Sequence, residues 1–332
     1  MKLIIQVPCL DEEEHLPATL AELPRSVEGF DTVEWLIIDD GSTDATVEVA
    51  KRNGVDHVVR LTNHKGLAAA FQAGLDASLK LGADVIVNTD ADGQYSASDI
   101  PRLVTPILKG AADMVVGDRE VRNLSRMSAR KKRLQALGSW VVRRASGTTV
   151  PDTTSGFRAY NREAALQLQV VSKFTYTLES LIQAGKMLVA VDHVPISSSE
   201  VEVRPSRLHR GSLAYVRRSV PTIFRIYATY EPLRVFTWLA ILLGLGALGA
   251  WSPFIIDLFR GQGRGHLQSI ILGGVLMIAA VQVFALGILA DLLGHQRALA
   301  QRALERVRRI ELHLGVAPSH YEPGNPPPPN AP

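Results

Sequence analysis

Two aspartates separated by one alanine, Asp90 and Asp92 in NTDADGQ (88–94), are the sharpest chemical signal in this sequence. They follow the apolar run VIVN, so both carboxylates can converge on one hard cation near the end of a strand. Mg²⁺ or Mn²⁺ suits oxygen ligands of this kind and usually shares them with substrate phosphates. Two acids in a loop are ordinarily just solvated, but context strengthens this pair. VPCLDEEEHL (7–16) and IIDDGSTDAT (37–46), the latter with Asp39 and Asp40, each end another apolar run in polar residues. Three polar strand ends on one sheet edge predict a pocket for a nucleoside diphosphate.

The elements that must carry these residues are short β-rich runs alternating with helical patterns. Strands are predicted at Leu3 to Val7, Trp35 to Ile38, His57 to Leu61, Val85 to Thr89 and Met114 to Gly117. Such alternation indicates an α/β domain with a largely parallel sheet, and runs such as LIIQV and WLII suit strands covered on both faces. Ligands in open α/β sheets sit outside the carboxyl ends of the strands, where the acids lie. Ser42, Thr43 and Asp44 are expected to cap a helix ending near Gly54, and Ser98 one ending near Gly110.

Composition bounds the rest. The chain has 332 residues, 46% of them hydrophobic, which is ample for a folded core. Its single cysteine, Cys9, ends an apolar run, is read as a packing residue and rules out an intramolecular disulfide. The opening MKLIIQVPCLDEEE runs into acids rather than a cleavage site, so no signal peptide is expected. Val235 to Phe259 carries one charge, Asp257, and Leu267 to Ala290 carries none. At roughly 24 residues each, both reach about 36 Å as helices, enough to span a bilayer core. Arginines flank this hairpin: Arg217, Arg218, Arg225 and Arg234 precede it, and Arg297, Arg302, Arg306, Arg308 and Arg309 follow it. Only Arg260 and Arg264 lie in the connector, so the positive-inside rule places both termini in the cytoplasm. The expectation is a multi-pass protein of the cell membrane.

Taken in order, the segments resemble family 2 glycosyltransferases of the GT-A fold, and more narrowly the dolichyl-phosphate mannose synthase and polyprenyl-phosphate glycosyltransferase group. VPCLDEEEHL resembles the family's P-x-Y-N-E block, IIDDGSTD its D-D-G-S block, NHKGLAAAFQAG (63–74) its N-x-G block and DADGQ its D-x-D-G-Q block. MVVGDRE (114–120) and DTTSGFRAYNREA (152–164) resemble two later blocks, V-G-x-R and D-x-x-S-G-F-R. Six blocks in the family's order cover about Leu3 to Ala165. The resemblance implies that Pro8, Leu10, Glu12, Asp39, Asp40 and Lys65 hold the nucleotide sugar, and that Asp90, Asp92 and Gln94 hold the metal. Arg119 and Arg158 would face the diphosphate, sugar or acceptor phosphate, with Asp152 near the sugar hydroxyls. Leu10 and Asp11 stand where the family usually has Tyr and Asn. In place of its R-x-x-G-x-S-K block stands RPSRLHRGS, where Arg204, Arg207 or Arg210 would supply a phosphate contact.

The implied fold is a GT-A, Rossmann-like nucleotide-diphospho-sugar transferase domain (1–215), followed by a basic juxtamembrane segment (216–234) and transmembrane helices at 235–259 and 267–290. A cytoplasmic amphipathic helix (291–315), lying on the membrane or pairing with a neighbouring chain as a homo-oligomer, and a disordered proline-rich tail (316–332) complete it. The implied reaction is inverting transfer of mannose or glucose from GDP-mannose or UDP-glucose to a polyprenyl phosphate. Another lipid-linked glycan acceptor and a non-catalytic scaffold are the alternatives. The basic stretch from Arg119 to Arg144, with one acid, Glu120, would attract a lipid phosphate or anionic headgroups. Its poor aromatic interleaving disfavours nucleic acid. No Arg-Trp pair of a processive synthase occurs, and no glycine-rich loop of a nucleotidyltransferase opens the chain. GLGALG (244–249) lies inside an apolar span and is at most a helix-packing feature.

Overall fold

The computed structural model describes residues 1–120, 129–170, 176–197, 230–260 and 266–326. It separates into two compact units, Met1–Val216 with Gln301–Pro332, and Arg217–Ala300.

In the first unit the apolar runs form β1 (Lys2–Cys9), β2 (Thr32–Asp39), β3 (His57–Arg60), β4 (Val85–Asn88) and β5 (Met114–Asp118). Between them lie α1 (Leu16–Glu22), α2 (Thr46–Arg52), α3 (Leu67–Lys80) and α4 (Ile100–Leu108). Then come α5 (Ala129–Ser146), β6 (Arg158–Asn161), α6 (Arg162–Gln167), α7 (Tyr176–Lys186) and β7 (Val191–Pro195). With β8 (Tyr321–Pro323) the strands make one sheet in the order β7-β5-β6-β4-β1-β2-β3-β8. β1 pairs in parallel with both β2 and β4, and β2 with β3. β6 runs antiparallel between β4 and β5. Every residue from Leu3 to Cys9 is buried, as a central strand covered on both faces requires. Helix α3 lies close over it because Gly74 has no side chain: a Cβ there would sit 2.6 Å from Gln6 Oε1 and 2.8 Å from Ile38 Cδ1.

The direction of the chain reverses about β1, which has β4 on one side and β2 on the other. This is the topological switch point at which open α/β sheets leave a crevice. The carboxyl ends of β1, β2, β4 and β5 share its edge. Because β6 enters antiparallel at Arg158, opposite Asn88 and Val116, the loop 152–157 arrives there as well.

The helix starts differ from expectation. Helix α2 opens at Thr46 behind Ala45, and its first amides are taken by Glu13 Oε2, which accepts from Ala45 N at 2.9 Å, and Asp44 Oδ1, which accepts from Thr46 N at 3.0 Å. Part of the cap therefore comes from another loop. Ser98 lies inside a 3₁₀ turn, Ala97–Asp99, and α4 follows from Ile100 without a side-chain cap.

Helices α8 (Pro232–Phe259) and α9 (Leu267–His313) are each long and apolar enough to cross a membrane, with mean hydropathy 2.0 and 2.4 over their most apolar stretches. Large apolar side chains such as Leu242 and Val281 are exposed along them. They touch through Trp251, whose Nε1 donates to the Ile270 carbonyl at 3.1 Å beside Gly273, and through Phe236 against Gly287. The glycines of GLGALG make no such close contact.

Two expectations for the C-terminus are corrected. The separate helices at 267–290 and 291–315 are one continuous α9, since Gly294 alone is too weak a breaker to end a helix of this length. From Gln301 onward α9 belongs to the first unit. The buried Arg308 donates from Nη1 to the Leu168 carbonyl at 2.8 Å, just past α6, and Arg309 and Glu311 pair with Glu163 and Lys80. Nor is all of 316–332 disordered: Tyr321–Pro323 adds β8 antiparallel to β3. Proline content argued against order, but an exposed edge strand supplies hydrogen-bond partners that composition does not report. Residues 327–332 lie outside the described residues.

Arg308→Ala is expected to lower the stability of the full chain by about 2 kcal/mol, because a charged donor leaves carbonyls unpaired. The exposed Arg302→Ala should cost far less, and equal thermal shifts for the two variants in detergent would contradict the docked helix.

Candidate active site

The polar ends of β1 and β2 are stitched together by their own loops. Asp11, with φ of 51°, accepts from Thr43 N at 2.8 Å through Oδ1, and its amide donates to Ser42 Oγ at 2.9 Å. Aspartate tolerates this left-handed backbone much as asparagine does, so the substitution at position 11 preserves the turn. The Glu12 amide donates to Thr46 Oγ1. Gly41, with φ of 79°, packs so closely on Asn63 and His64 that a Cβ would lie 2.6 Å from backbone. Both carboxylates at the end of β2 are buried. Asp39 Oδ1 accepts from Ser42 N, while Oδ2 has no hydrogen-bond partner and lies 3.6 Å from Arg60 Nε. Asp40 accepts from the amides of Lys65 and Gly66 and faces His64 Nδ1 at 2.8 Å. Lys65 has an exposed side chain and contributes its amide here. Pro8 is buried within β1, and Leu10 is half-buried just beyond it.

Asp90 and Asp92 follow β4. Burial, reinforced by the Asp92 carboxylate, pushes the Asp90 carboxyl up to about 7, although Arg119 and Arg158 oppose the shift. Burial also raises Asp92. The turn between them is fixed from both sides: Thr19 Oγ1 donates to the Ala91 carbonyl at 2.8 Å, and the Gln94 amide donates to Asp92 Oδ1 at 3.2 Å. Directly after β5, Arg119 grips Asp152 with two bonds, Nε to Oδ2 at 2.7 Å and Nη2 to Oδ1 at 3.1 Å. Desolvation would raise Asp152, but the guanidinium and Thr154 hold it below the usual carboxylate range.

Six residues not singled out by their side-chain chemistry complete the site. Gln6 Nε2 donates to Asn88 Oδ1, and Asn88 Nδ2 donates to the Gly156 carbonyl at 2.9 Å and to Tyr176 Oη at 3.1 Å. The Gly156 amide donates to Tyr95 Oη, and Tyr95 stacks on Phe157. Gly156 is glycine for a steric reason: a Cβ would lie 3.0 Å from Asp90 Oδ2 and 2.7 Å from Tyr176 Oη. Polar residues within the apolar runs, Gln6 in LIIQV and Asn88 in VIVN, were the visible signal for this network.

One predicted site residue is placed elsewhere. Arg158 is fully buried, and its donors go to the carbonyls of Ser155, Thr177 and Thr153 and to Ser180 Oγ. It braces the 152–157 loop rather than presenting its guanidinium to a ligand. Arg204, Arg207 and Arg210 lie outside the described residues, as do Arg122 and Arg126. Arg143 and Arg144 occupy the last turn of α5.

The donor chemistry fits a divalent cation. Two like-charged carboxylates, raised because they are desolvated together, are what Mg²⁺ or Mn²⁺ would neutralise. Among the described residues no cluster of three His, Cys, Asp or Glu ligands forms. Phosphate oxygens and water are the usual further ligands of such a cation.

Comparison with known proteins identifies the family and the fold. The profile of Glycosyl transferase family 2 matches residues 4–168. The undecaprenyl-phosphate mannosyltransferase of Micrococcus luteus is 29% identical over 70% of this chain and 98% of its own. A glycosyltransferase of Mycobacterium tuberculosis, itself uncharacterised, is 36% identical over 54% of this chain and 78% of its own. Glucosyl-3-phosphoglycerate synthase of M. tuberculosis, crystallised with Mn²⁺, UDP and glucosyl-3-phosphoglycerate, shares the fold with a TM-score of 0.50 at 20% identity. That match covers 69% of this chain and 79% of that one.

Because the raised pKa of Asp90 means a proton competes with the cation, metal binding should strengthen as pH rises through about 7. In the cation-free protein the same group binds its proton more tightly folded than unfolded, so its contribution to stability falls between about pH 4 and 7. Saturating Mn²⁺ should raise the melting temperature more at pH 8 than at pH 6; the reverse order would contradict the assignment.

Proposed function

The chain belongs to glycosyl transferase family 2, and from that premise we propose that it transfers a hexose from a nucleotide sugar to a polyprenyl phosphate at the cytoplasmic membrane face. The observation that carries this reading is the convergence of Asp90 and Asp92 with the Arg119–Asp152 pair on the edge that also holds Asp39 and Asp40. Acids that can hold a metal-bound diphosphate and acids that can read a nucleoside line one crevice. Helices α8 and α9 would keep the enzyme where a lipid acceptor resides.

In this reading Asp39 and Asp40, with the Lys65 amide, sit at the nucleoside end, and Pro8, Leu10 and Glu12 form the neighbouring wall. Asp90 and Asp92, with Gln94 fixing the second, hold Mg²⁺ or Mn²⁺. When bound, the cation neutralises the leaving diphosphate. Arg119 holds Asp152 at the sugar and adds positive charge beside the diphosphate. An oxygen of the acceptor phosphate forms the new bond to the anomeric carbon while the bond from that carbon to the diphosphate oxygen breaks, and the nucleoside diphosphate leaves with the electron pair. The configuration is inverted. A phosphate with a second pKa near 6 is already largely ionised at neutral pH, so no protein base is assigned. GDP-mannose and UDP-glucose are the donors proposed. Arg204 or Arg207 would reach a phosphate, and the basic run ending at Arg144 would draw the anionic lipid head toward the crevice.

Asp92→Asn should reduce turnover at least a hundredfold with a melting temperature within a few degrees of the parent. Transfer from radiolabelled donor to a polyprenyl phosphate, with Mg²⁺ or Mn²⁺ added, is the measurement. Near-parental turnover would remove the metal role.

A further inference from the structure

The chain returns from its apolar helices to the nucleoside end of this crevice. Strand β8 lies against β3 with Tyr321 opposite Val59, and the Arg60 amide donates to the His320 carbonyl at 2.9 Å. Tyr321 Oη meets His57 Nδ1 at 3.0 Å, and Lys51 pairs with Glu322 at 2.7 Å. Beyond the strand, Gly324 N donates to the Asp56 carbonyl and Asn325 N to that of Val55. Gly324 has to be glycine, since a Cβ would come within 1.8 Å of the Val55 carbonyl oxygen. Five backbone or side-chain ties over six residues make this a built segment rather than a loose tail.

A cleft of about 540 Å³ opens between β8 and the end of β2. Gly41, Thr43, Arg60, Thr62, His320 and Tyr321 are among the residues that line it. Its lining residue Arg60 places Nε 3.6 Å from Asp39 Oδ2, which is buried and lacks a hydrogen-bond partner. A buried carboxylate oxygen without a hydrogen-bond partner calls for a donor. His320 holds φ at 57°, a left-handed conformation uncommon for a residue other than glycine, and its side chain is exposed at the rim. Leu10 offers no ring to stack on a base.

We propose that the C-terminal strand forms the outer wall of the donor's nucleoside site, with His320 and Arg60 as donor-recognition residues. The ligand chemistry is a nucleobase: a ring N–H for Asp39 Oδ2, carbonyl oxygens for Arg60, and a flat face for the His320 imidazole. The proposal rests on the reading of the Asp39 edge as a nucleotide-sugar site. It makes a segment beyond both apolar helices part of donor selection.

The test uses the full chain in detergent with Mn²⁺ and titrates UDP and GDP by calorimetry, alongside donor KM and kcat. His320→Asn removes the imidazole while asparagine keeps the left-handed backbone accessible. It should raise the Kd of the preferred nucleotide and the donor KM about tenfold, leaving kcat within twofold and the melting temperature within about 2 °C. Tyr321→Phe should move both in the same direction by a smaller factor, since it loosens the strand from His57. Asp39→Asn separates the two readings. If Asp39→Asn weakens nucleotide binding and His320→Asn does not, the strand is no part of the site and this proposal fails alone. If neither variant changes nucleotide binding, the donor assignment of the whole edge fails with it. A loss of kcat with unchanged KM and Kd in His320→Asn would also overturn the proposal.

Discussion

A carboxylate held away from water beside a second carboxylate must be compensated, and at the end of β4 that requirement organises the site. Raising Asp90 from 3.8 to about 7 corresponds to roughly 4 kcal/mol disfavouring its ionised form. Arg119 and Arg158 oppose that shift without cancelling it. Arg119 is already engaged bidentately by Asp152, and Arg158 is spent on carbonyls of the 152–157 loop. What remains is a pair of carboxyls whose joint ionisation no neighbouring side chain fully compensates.

The rigidity around that charge comes from neutral groups. Asn88 spends its amide on Gly156 and Tyr176, Gly156 donates to Tyr95, and Tyr95 lies flat on Phe157. Each of these groups is buried, so each hydrogen bond is worth more in place than in water and costs more if left unmade. The glycine at 156 lets the loop approach Asp90 to a distance no side chain would tolerate. Preorganisation here is thus a matter of close backbone packing. The carboxylates of Asp90 and Asp92 have little freedom to relax away from each other.

Much of this was legible in the residues alone. The five parallel strands announce themselves as apolar runs, and the acids that close three of them fall on the switch-point edge because parallel strands point their carboxyl ends the same way. The family's block order also located Arg119 and Asp152, though not their pairing, which depends on β6 entering antiparallel between β4 and β5. Arg158 misled for a physical reason: an arginine in a polar block looks like a phosphate ligand until its four acceptors are visible. Strands β6 to β8 were missed because their sequences are short or mixed and their partners are remote. His57 and Tyr321 are 264 residues apart, beyond the reach of any local pattern.

That remote pairing resolves a problem the parallel sheet creates for itself. Strand β3 is only four residues long, and its outer side would be an open edge of amides and carbonyls, a template for pairing with another chain. Strand β8 covers it and ends in Pro323, which lacks an amide to donate, so the new edge is a poor template in turn. The same few bonds bring His320 and Tyr321 beside Arg60 and Val59. The last turns of α9 reach the first unit through Arg308, whose guanidinium takes up the carbonyl of Leu168 after α6. A chain cut after Tyr230 would therefore lack part of the first unit. Such a cut removes the cover of β3 and the partner of the Leu168 carbonyl together with the apolar helices. The apolar helices are an insertion between two parts of one folded unit, and the residues that follow them belong to the catalytic fold.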